Sequence, residues 1–191
     1  RVSRPRPWRS WRGWMADACR RLFLALWPGE AVAGALEAAG LEAHRLCGGR
    51  RMRRDTLHLT LAFIGDVPEA RLPGLVDALG AVAGEAFMLH LDQLGDWRHN
   101  RIVWAGCAER SAALDRLVAD LRGCLAALGL PADATPFVPH VSLLRKADRA
   151  AASPALGPIA WPVAGFVLME SCRSEAGVHY RRLARWRLEA V

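Results

Sequence analysis

The chain has no apolar run long enough to cross a bilayer. Its longest uninterrupted apolar stretches, residues 22–28 and 166–169 with their neighbours, fall far short of the roughly 18 residues that a spanning helix needs, so no membrane segment is expected. A signal-peptide pattern is missing too, because Pro28, Gly29 and Glu30 follow the short apolar run at 22–27 with no small-residue cleavage site. Paired cysteines are absent. The five, at positions 19, 47, 107, 124 and 172, are odd in number and form no C-x-x-C, which argues against a disulfide framework or a zinc ribbon. Most sit in apolar periodic segments, as buried free thiols do in a reducing compartment, and the cytoplasm is the expected location. Short-period repeats and low-complexity tracts are lacking beyond the first fourteen residues.

What is present describes a globular body. Hydrophobic residues make up 52% of the 191 and charged residues 24%. A chain of this length buries roughly 70% of its extended surface, enough for one domain or two small fused lobes, and disorder as the main state is excluded. The net charge of +7 resembles a nucleic-acid footprint until it is divided along the chain. Five of the seven surplus positive charges come from Arg1, Arg4, Arg6, Arg9 and Arg12, and no acid precedes Asp17. Trp8, Trp11, Trp14, Pro5 and Pro7 share that stretch, which has neither a 3.6 nor a 2 period. Residues 1–14 are therefore expected to be a basic Arg/Trp tail, disordered or a non-native extension ahead of Met15, and 15–191 a single, only mildly basic domain.

Hydrophobic periodicity orders that domain. Residues 21–27 read as a buried strand closed by Pro28 and Gly29, with helix formers over 30–41. Residues 57–64 alternate Leu57, Leu59, Leu61 and Phe63 against His58, Thr60 and Ala62, a strand with one apolar face and one that carries chemistry. A helical stripe over 69–84 ends in glycine, and strand candidates follow at 87–94 and 101–107. A helix over 111–128 is capped by Ser111 and stopped by Gly129 and Pro131. Residues 139–144 form a second alternating strand, 154–162 a loop punctuated by proline and glycine, and 163–172 and 180–188 the last two strands.

One small pattern occurs twice: His58-Leu59-Thr60 and His140-Val141-Ser142, each flanked by apolar residues. Side chains two apart on a strand share a face, so each imidazole stands beside a hydroxyl while the residue between them anchors in the core. With only seven Ser and three Thr, about one position in twenty carries a hydroxyl, and two such matches among six histidines seldom arise by accident. Two of these strands facing across a cleft would set two imidazoles and two hydroxyls around one tetrahedral anion. In-line hydrolysis of a phosphodiester requires that set: one histidine protonates the leaving oxygen, the other takes a proton from water, and an ordinary pKa near 6.5 suits both tasks. Which histidine does which is open from the residues alone. Neither has the i+4 histidine of a zinc helix and no carboxylate cluster joins them in sequence, so neither metal nor cofactor is expected.

These paired motifs resemble the two-histidine (2H) phosphoesterases, specifically the bacterial RNA 2′,3′-cyclic phosphodiesterases long called 2′-5′ RNA ligases. The likeness extends to Arg21-Leu22-Phe23-Leu24-Ala25-Leu26 with Pro28, to the run from Leu57 through Gly65, to Arg101-Ile102-Val103-Trp104, to Phe137 with the run from Pro139 through Arg145, and to Tyr180-Arg181-Arg182-Leu183. Two departures stand out: Ser142 where threonine is commoner, and an Arg-rich linker at 48–54. The resemblance implies an α+β, bilobal 2H phosphoesterase fold, two pseudo-symmetric lobes of antiparallel sheet with outer helices flanking a central cleft. It makes His58 the proton donor to the departing 3′ oxygen and His140 the acceptor that activates water. Thr60 and Ser142 would bind the phosphate. Arg145 is a further candidate for the anion, since a guanidinium offers a fork of donors. Trp97 and Phe137 are read as packing residues rather than base platforms.

The expected function is hydrolysis of RNA 2′,3′-cyclic phosphate ends to 2′-phosphomonoesters, with weak reverse 2′-5′ joining. The expected partners are RNA ends, tRNA fragments among them, bound by a monomer with no membrane association. Two alternatives stand beside it: a 2H enzyme for small nucleoside cyclic phosphates, and a non-catalytic RNA-binding protein.

Overall fold

The computed structural model describes residues 18–131, 136–149, 156–175 and 177–190, so the basic tail predicted for 1–14 lies outside the described residues. The elements run β1 (Cys19–Leu26), α1 (Glu30–Cys47), β2 (Arg50–Arg51), β3 (Leu59–Pro68), α2 (Leu72–Gly80), β4 (Phe87–Leu91), β5 (Gln93–Trp97), β6 (Ile102–Gly106), α3 (Ala112–Ala127), β7 (His140–Arg145), β8 (Ile159–Val163), β9 (Gly165–Ser174) and β10 (Gly177–Arg187).

Eight strands form one antiparallel sheet in the order β10-β9-β1-β3-β7-β6-β5, with β2 beside β7, while β4 and β8 pair separately. The sheet is two halves joined at a seam. Between β3 and β7 a single residue pair, Leu59 with Val141, bridges them. The unit β1–α1–β3 on one side is matched by β6–α3–β7 on the other, and each helix crosses over: α1 packs on β7, and α3 packs on β3. The amphipathic stripes explain the docking. α1 buries Val32, Leu36, Gly40, Ala43 and Cys47, and α3 buries Leu114, Leu117, Val118, Leu121 and Leu125, in each case one helical face against the sheet. The result is the expected α+β architecture of two antiparallel lobes with helices outside.

Local differences from the sequence expectation have physical causes. The first helix runs on to Cys47 because nothing in 42–47 breaks it, and it ends where Gly48 adopts φ 67° and donates its N–H to the His44 carbonyl at 2.8 Å. Ser111 caps α3 by accepting from the Leu114 N–H at 3.3 Å. The strand expected at 87–94 breaks at Asp92, whose side chain accepts the Ala108 N–H at 2.8 Å, so β4 and β5 join different sheets. Part of the expected loop at 154–162 is strand β8. Ile159, Trp161 and Val163 are buried and alternate with exposed Ala160 and Pro162, and proline is tolerated because each strand of a two-stranded ribbon has a free edge. None of the five cysteines forms a disulfide among the described residues. Cys47 is buried as expected, whereas Cys19 is exposed at the start of β1. No described helix is long and apolar enough to cross a membrane.

Candidate active site

The seam builds the site. Leu59 and Val141 are fully buried, and strand alternation sends their neighbours to the opposite face. With Leu59 opposite Val141 and the strands antiparallel, His58 falls beside Ser142 and Thr60 beside His140. The four sequence candidates therefore meet on one face of one sheet. They are neighbours on paired strands rather than groups on two strands confronting each other across a gap.

The two halves repeat the same irregularity. On β3 the register against β1 jumps so that Ala25 pairs with Thr60 and Leu24 with Ala62, leaving Leu61 as a bulge. On β7 the register against β6 jumps so that Trp104 pairs with Ser142 and Val103 with Leu144, leaving Leu143 as a bulge. In each case two consecutive side chains turn inward, Leu61 with Ala62 and Leu143 with Leu144, and the next residue returns to the histidine face. That residue is Phe63 in one half, 60% exposed, and Arg145 in the other. Plain alternation would have put Arg145 on the wrong side of the sheet; the bulge brings it to the site.

Each imidazole is held alike. His58 Nδ1 lies 2.7 Å from the Thr56 carbonyl oxygen and His140 Nδ1 lies 2.8 Å from that of Val138, both two residues upstream. A carbonyl oxygen only accepts, so Nδ1 carries the proton in both rings and Nε2 is the atom left for substrate. Trp27 stacks flat on His58 at 5.4 Å and 3°, and Phe23 and Tyr180 close around it at 5.1 Å each. Trp97 meets His140 edge-on at 4.5 Å, with Trp104 behind at 6.4 Å. Trp27, Phe23, Tyr180 and Trp104 are not among the sequence candidates, and Trp97, expected to pack rather than to carry a base, packs against His140 itself. The available signal was the period-2 set Phe23, Ala25 and Trp27, which shares the face of His58 once β1 is placed beside β3.

Burial among these rings pushes the His58 pKa down to about 4, with the positive charges of His140 and Arg145 adding to the effect and the Thr56 carbonyl opposing it. The His140 pKa is lowered in the same direction, mainly by burial and then by Arg145, against the Val138 carbonyl. Arg145 is thus close enough to act on both histidines. Where β3 and the segment before β7 splay apart, a cavity of about 190 Å³ opens beside the site, lined by Thr60, Phe63, Trp97, Phe137, Val138 and His140 among others. Its walls are mostly apolar and aromatic, and its size suits a flat heterocycle. A larger groove of about 720 Å³ runs along the outside of α1 from Ala31 to Leu46, and among the described residues Glu42 is its one titratable lining residue. The chemistry is not there.

The family model described as the 2′-5′ RNA ligase superfamily matches residues 28–173. The chain is 36% identical over 141 residues to the RNA 2′,3′-cyclic phosphodiesterase of Escherichia coli, covering 73% of this chain and 80% of that protein. It is 33% identical over 180 residues to the RNA 2′,3′-cyclic phosphodiesterase of Thermus thermophilus, covering 88% of this chain and 90% of that protein. The crystal structure of E. coli LigT complexed with 3′-AMP aligns with a TM-score of 0.83 at 31% identity, over 90% of this chain and 99% of that one.

Proposed function

The chain belongs to the 2′-5′ RNA ligase superfamily, and on that premise we propose that it hydrolyses RNA ends carrying a 2′,3′-cyclic phosphate to 2′-phosphomonoesters, with His58 and His140 as its acid and base. The observation that carries this reading is the matched pair of imidazoles at the seam, each anchored through Nδ1 to a carbonyl and each beside a hydroxyl.

The reaction follows from that geometry. The cyclic phosphate sits over the seam, its non-bridging oxygens accepting from the Thr60 and Ser142 hydroxyls and from the Arg145 guanidinium. Water attacks phosphorus in line with the departing 3′ oxygen. His140 Nε2 takes the proton from the water as the P–O bond forms, and protonated His58 gives its Nε2 proton to the 3′ oxygen as that bond breaks. The products are a 2′-phosphate and a 3′-hydroxyl, and the two rings exchange their proton with solvent before the next turnover. A histidine with a pKa of about 4 is neutral in the empty enzyme at neutral pH. The anionic phosphate supplies the opposite charge that restores its proton, so the acid is formed where the substrate lies. An RNA 5′-hydroxyl in the position of the water would leave a 2′-5′ linkage by the same steps, which is the weak reverse activity expected of such a site. The aromatic cavity beside Thr60 and His140 takes the terminal base.

The finer parts of the proposal are tRNA fragments among the substrates, a monomer, a cytoplasmic location, and residues 15–191 acting as one catalytic domain without metal. The test is incubation of an oligonucleotide ending in a 2′,3′-cyclic phosphate with the protein in excess EDTA, followed by identification of the product end. A 2′-phosphate is expected. A 3′-phosphate would reverse the roles of the two sides, and no product from a folded protein would reject the reading.

A further inference from the structure

The Arg-rich linker at 48–54 is unexplained by catalysis, yet the fold brings part of it to the site. β2 lies against the distal end of β7 on the same edge that β3 occupies nearer the histidines, with Arg50 directly opposite Arg145 and Arg51 opposite Leu144. Residues directly opposite on antiparallel strands share a face, so Arg50 stands beside Arg145 on the histidine face. Glycine is required to bring it there. Gly49 has φ 81°, and a Cβ on it would meet the backbone of Lys146 and Ala147 at 2.8 Å.

Two like charges placed directly opposite repel. Three arginines nearby are neutralised: Arg53 pairs with Asp55, Arg54 with Glu30 and Glu37, and Arg101 with Asp148, while Arg51, opposite Leu144, has no ion pair among the described residues. Asp148 also accepts the Gly49 N–H at 3.2 Å. Neither Arg50 nor Arg145 has an ion pair among the described residues, and both are exposed. A pair of guanidiniums held side by side with no acid is a site for more than one phosphate charge.

The linear order along β7 says which charge. The aromatic cavity lies at the His140 end, the four catalytic side chains in the middle and the arginine pair at the far end, about 7 Å beyond Ser142, because the Leu143 bulge makes that stretch span only the two-residue step from Trp104 to Ile102 on β6. A 3′-terminal nucleotide has the same order. Its base leaves the ribose at C1′ and its 5′-phosphate leaves through C4′, on opposite sides of the C2′–C3′ edge that carries the cyclic phosphate. Resting on the proposed function, we infer that Arg50, next to Arg145, binds the phosphodiester on the 5′ side of the terminal nucleoside, which makes oligonucleotide ends rather than mononucleotides the preferred substrates.

The experiment compares kcat/KM for an oligonucleotide 2′,3′-cyclic phosphate and for the matching nucleoside 2′,3′-cyclic phosphate lacking a 5′-phosphate, in the unaltered protein, in Arg50→Gln and in Arg182→Gln/Arg185→Gln. Arg182 and Arg185 lie on the same sheet face, opposite Met169 and Val167 on the outermost strand, away from the inferred path. The oligonucleotide-to-mononucleotide ratio should fall about ten-fold in Arg50→Gln, and the salt slope for the oligonucleotide should shrink by about 0.7, one phosphate contact on a single strand. The double variant should leave the ratio unchanged. An unchanged ratio in Arg50→Gln, or an equal loss in the double variant, overturns the inference while leaving the hydrolytic reading in place. Absence of turnover of both substrates by the unaltered protein overturns both.

Discussion

Removing the ring of His58 should flatten the acid side of the stability curve. The folded pKa is about 4 because the ring is buried among Trp27, Phe23 and Tyr180, while the unfolded value is near 6.5. Above about pH 7.5 the ring is neutral in both states and contributes almost no pH dependence. As pH falls from 6.5 toward 4, the unfolded chain takes up a proton that the folded chain refuses, so native stability drops, and the loss levels off below the folded pKa. Between about pH 7.5 and about pH 4.5 this single group destabilises the fold by about 2.5 kcal/mol, a large share of a typical total of about 5–15 kcal/mol. The assay is urea unfolding of the unaltered protein and of His58→Gln at both pH values. Glutamine keeps a donor for the Thr56 carbonyl and carries no titrating group. The unaltered protein should lose about 2.5 kcal/mol more than the variant on acidification, with similar m-values. Equal losses would refute the claim that this imidazole is held neutral by its aromatic surroundings.

Three further outcomes follow from the same geometry. Because both histidine pKa values are lowered, kcat/KM against pH should peak below the ordinary histidine value. Arg145→Gln should move both limbs upward by removing a positive neighbour, and a peak in the alkaline range would contradict this. Leu59→Ala empties the fully buried centre of the seam, and urea unfolding should show a loss of about 3 kcal/mol; a loss under about 1 kcal/mol would mean that the seam is not packed as described. In Gly95→Ala the new Cβ would stand 2.2 Å from the Trp104 indole, so the indole behind His140 must shift, and near-UV circular dichroism should change together with a fall in kcat.

The face that carries both histidines was legible in the sequence because it is written locally and twice. His58 with Thr60 and His140 with Ser142 need nothing beyond strand period to be placed on common faces, and the buried Leu59 and Val141 are the residues between them. What was not legible depends on pairings far apart in sequence. The bulges at Leu61 and Leu143 exist only relative to β1 and β6, so the return of Phe63 and Arg145 to the histidine face could not be read from alternation. Trp27 and Tyr180 reach His58 across strands, β10 lying at the outer edge of the sheet and β1 beside β3. The split of 87–94 at Asp92 and the strand hidden in 154–162 were missed for the same reason: a proline or an aspartate is compatible with strand or loop until its partner strand is known. Arg145 was proposed from its closeness in sequence to the second motif, and the bulge is the physical reason that closeness counts.

That His58 and His140 work as one acid–base pair across a single bridging residue pair is tested most directly by single-turnover hydrolysis of a cyclic-phosphate-terminated oligonucleotide with His58→Ala, His140→Ala and the double variant. Each single change should slow conversion by about three powers of ten, and the double change should be little slower than either, because groups acting as a unit do not lose rate additively. A near-normal rate in either single variant, or two losses that simply multiply in the double variant, would contradict it.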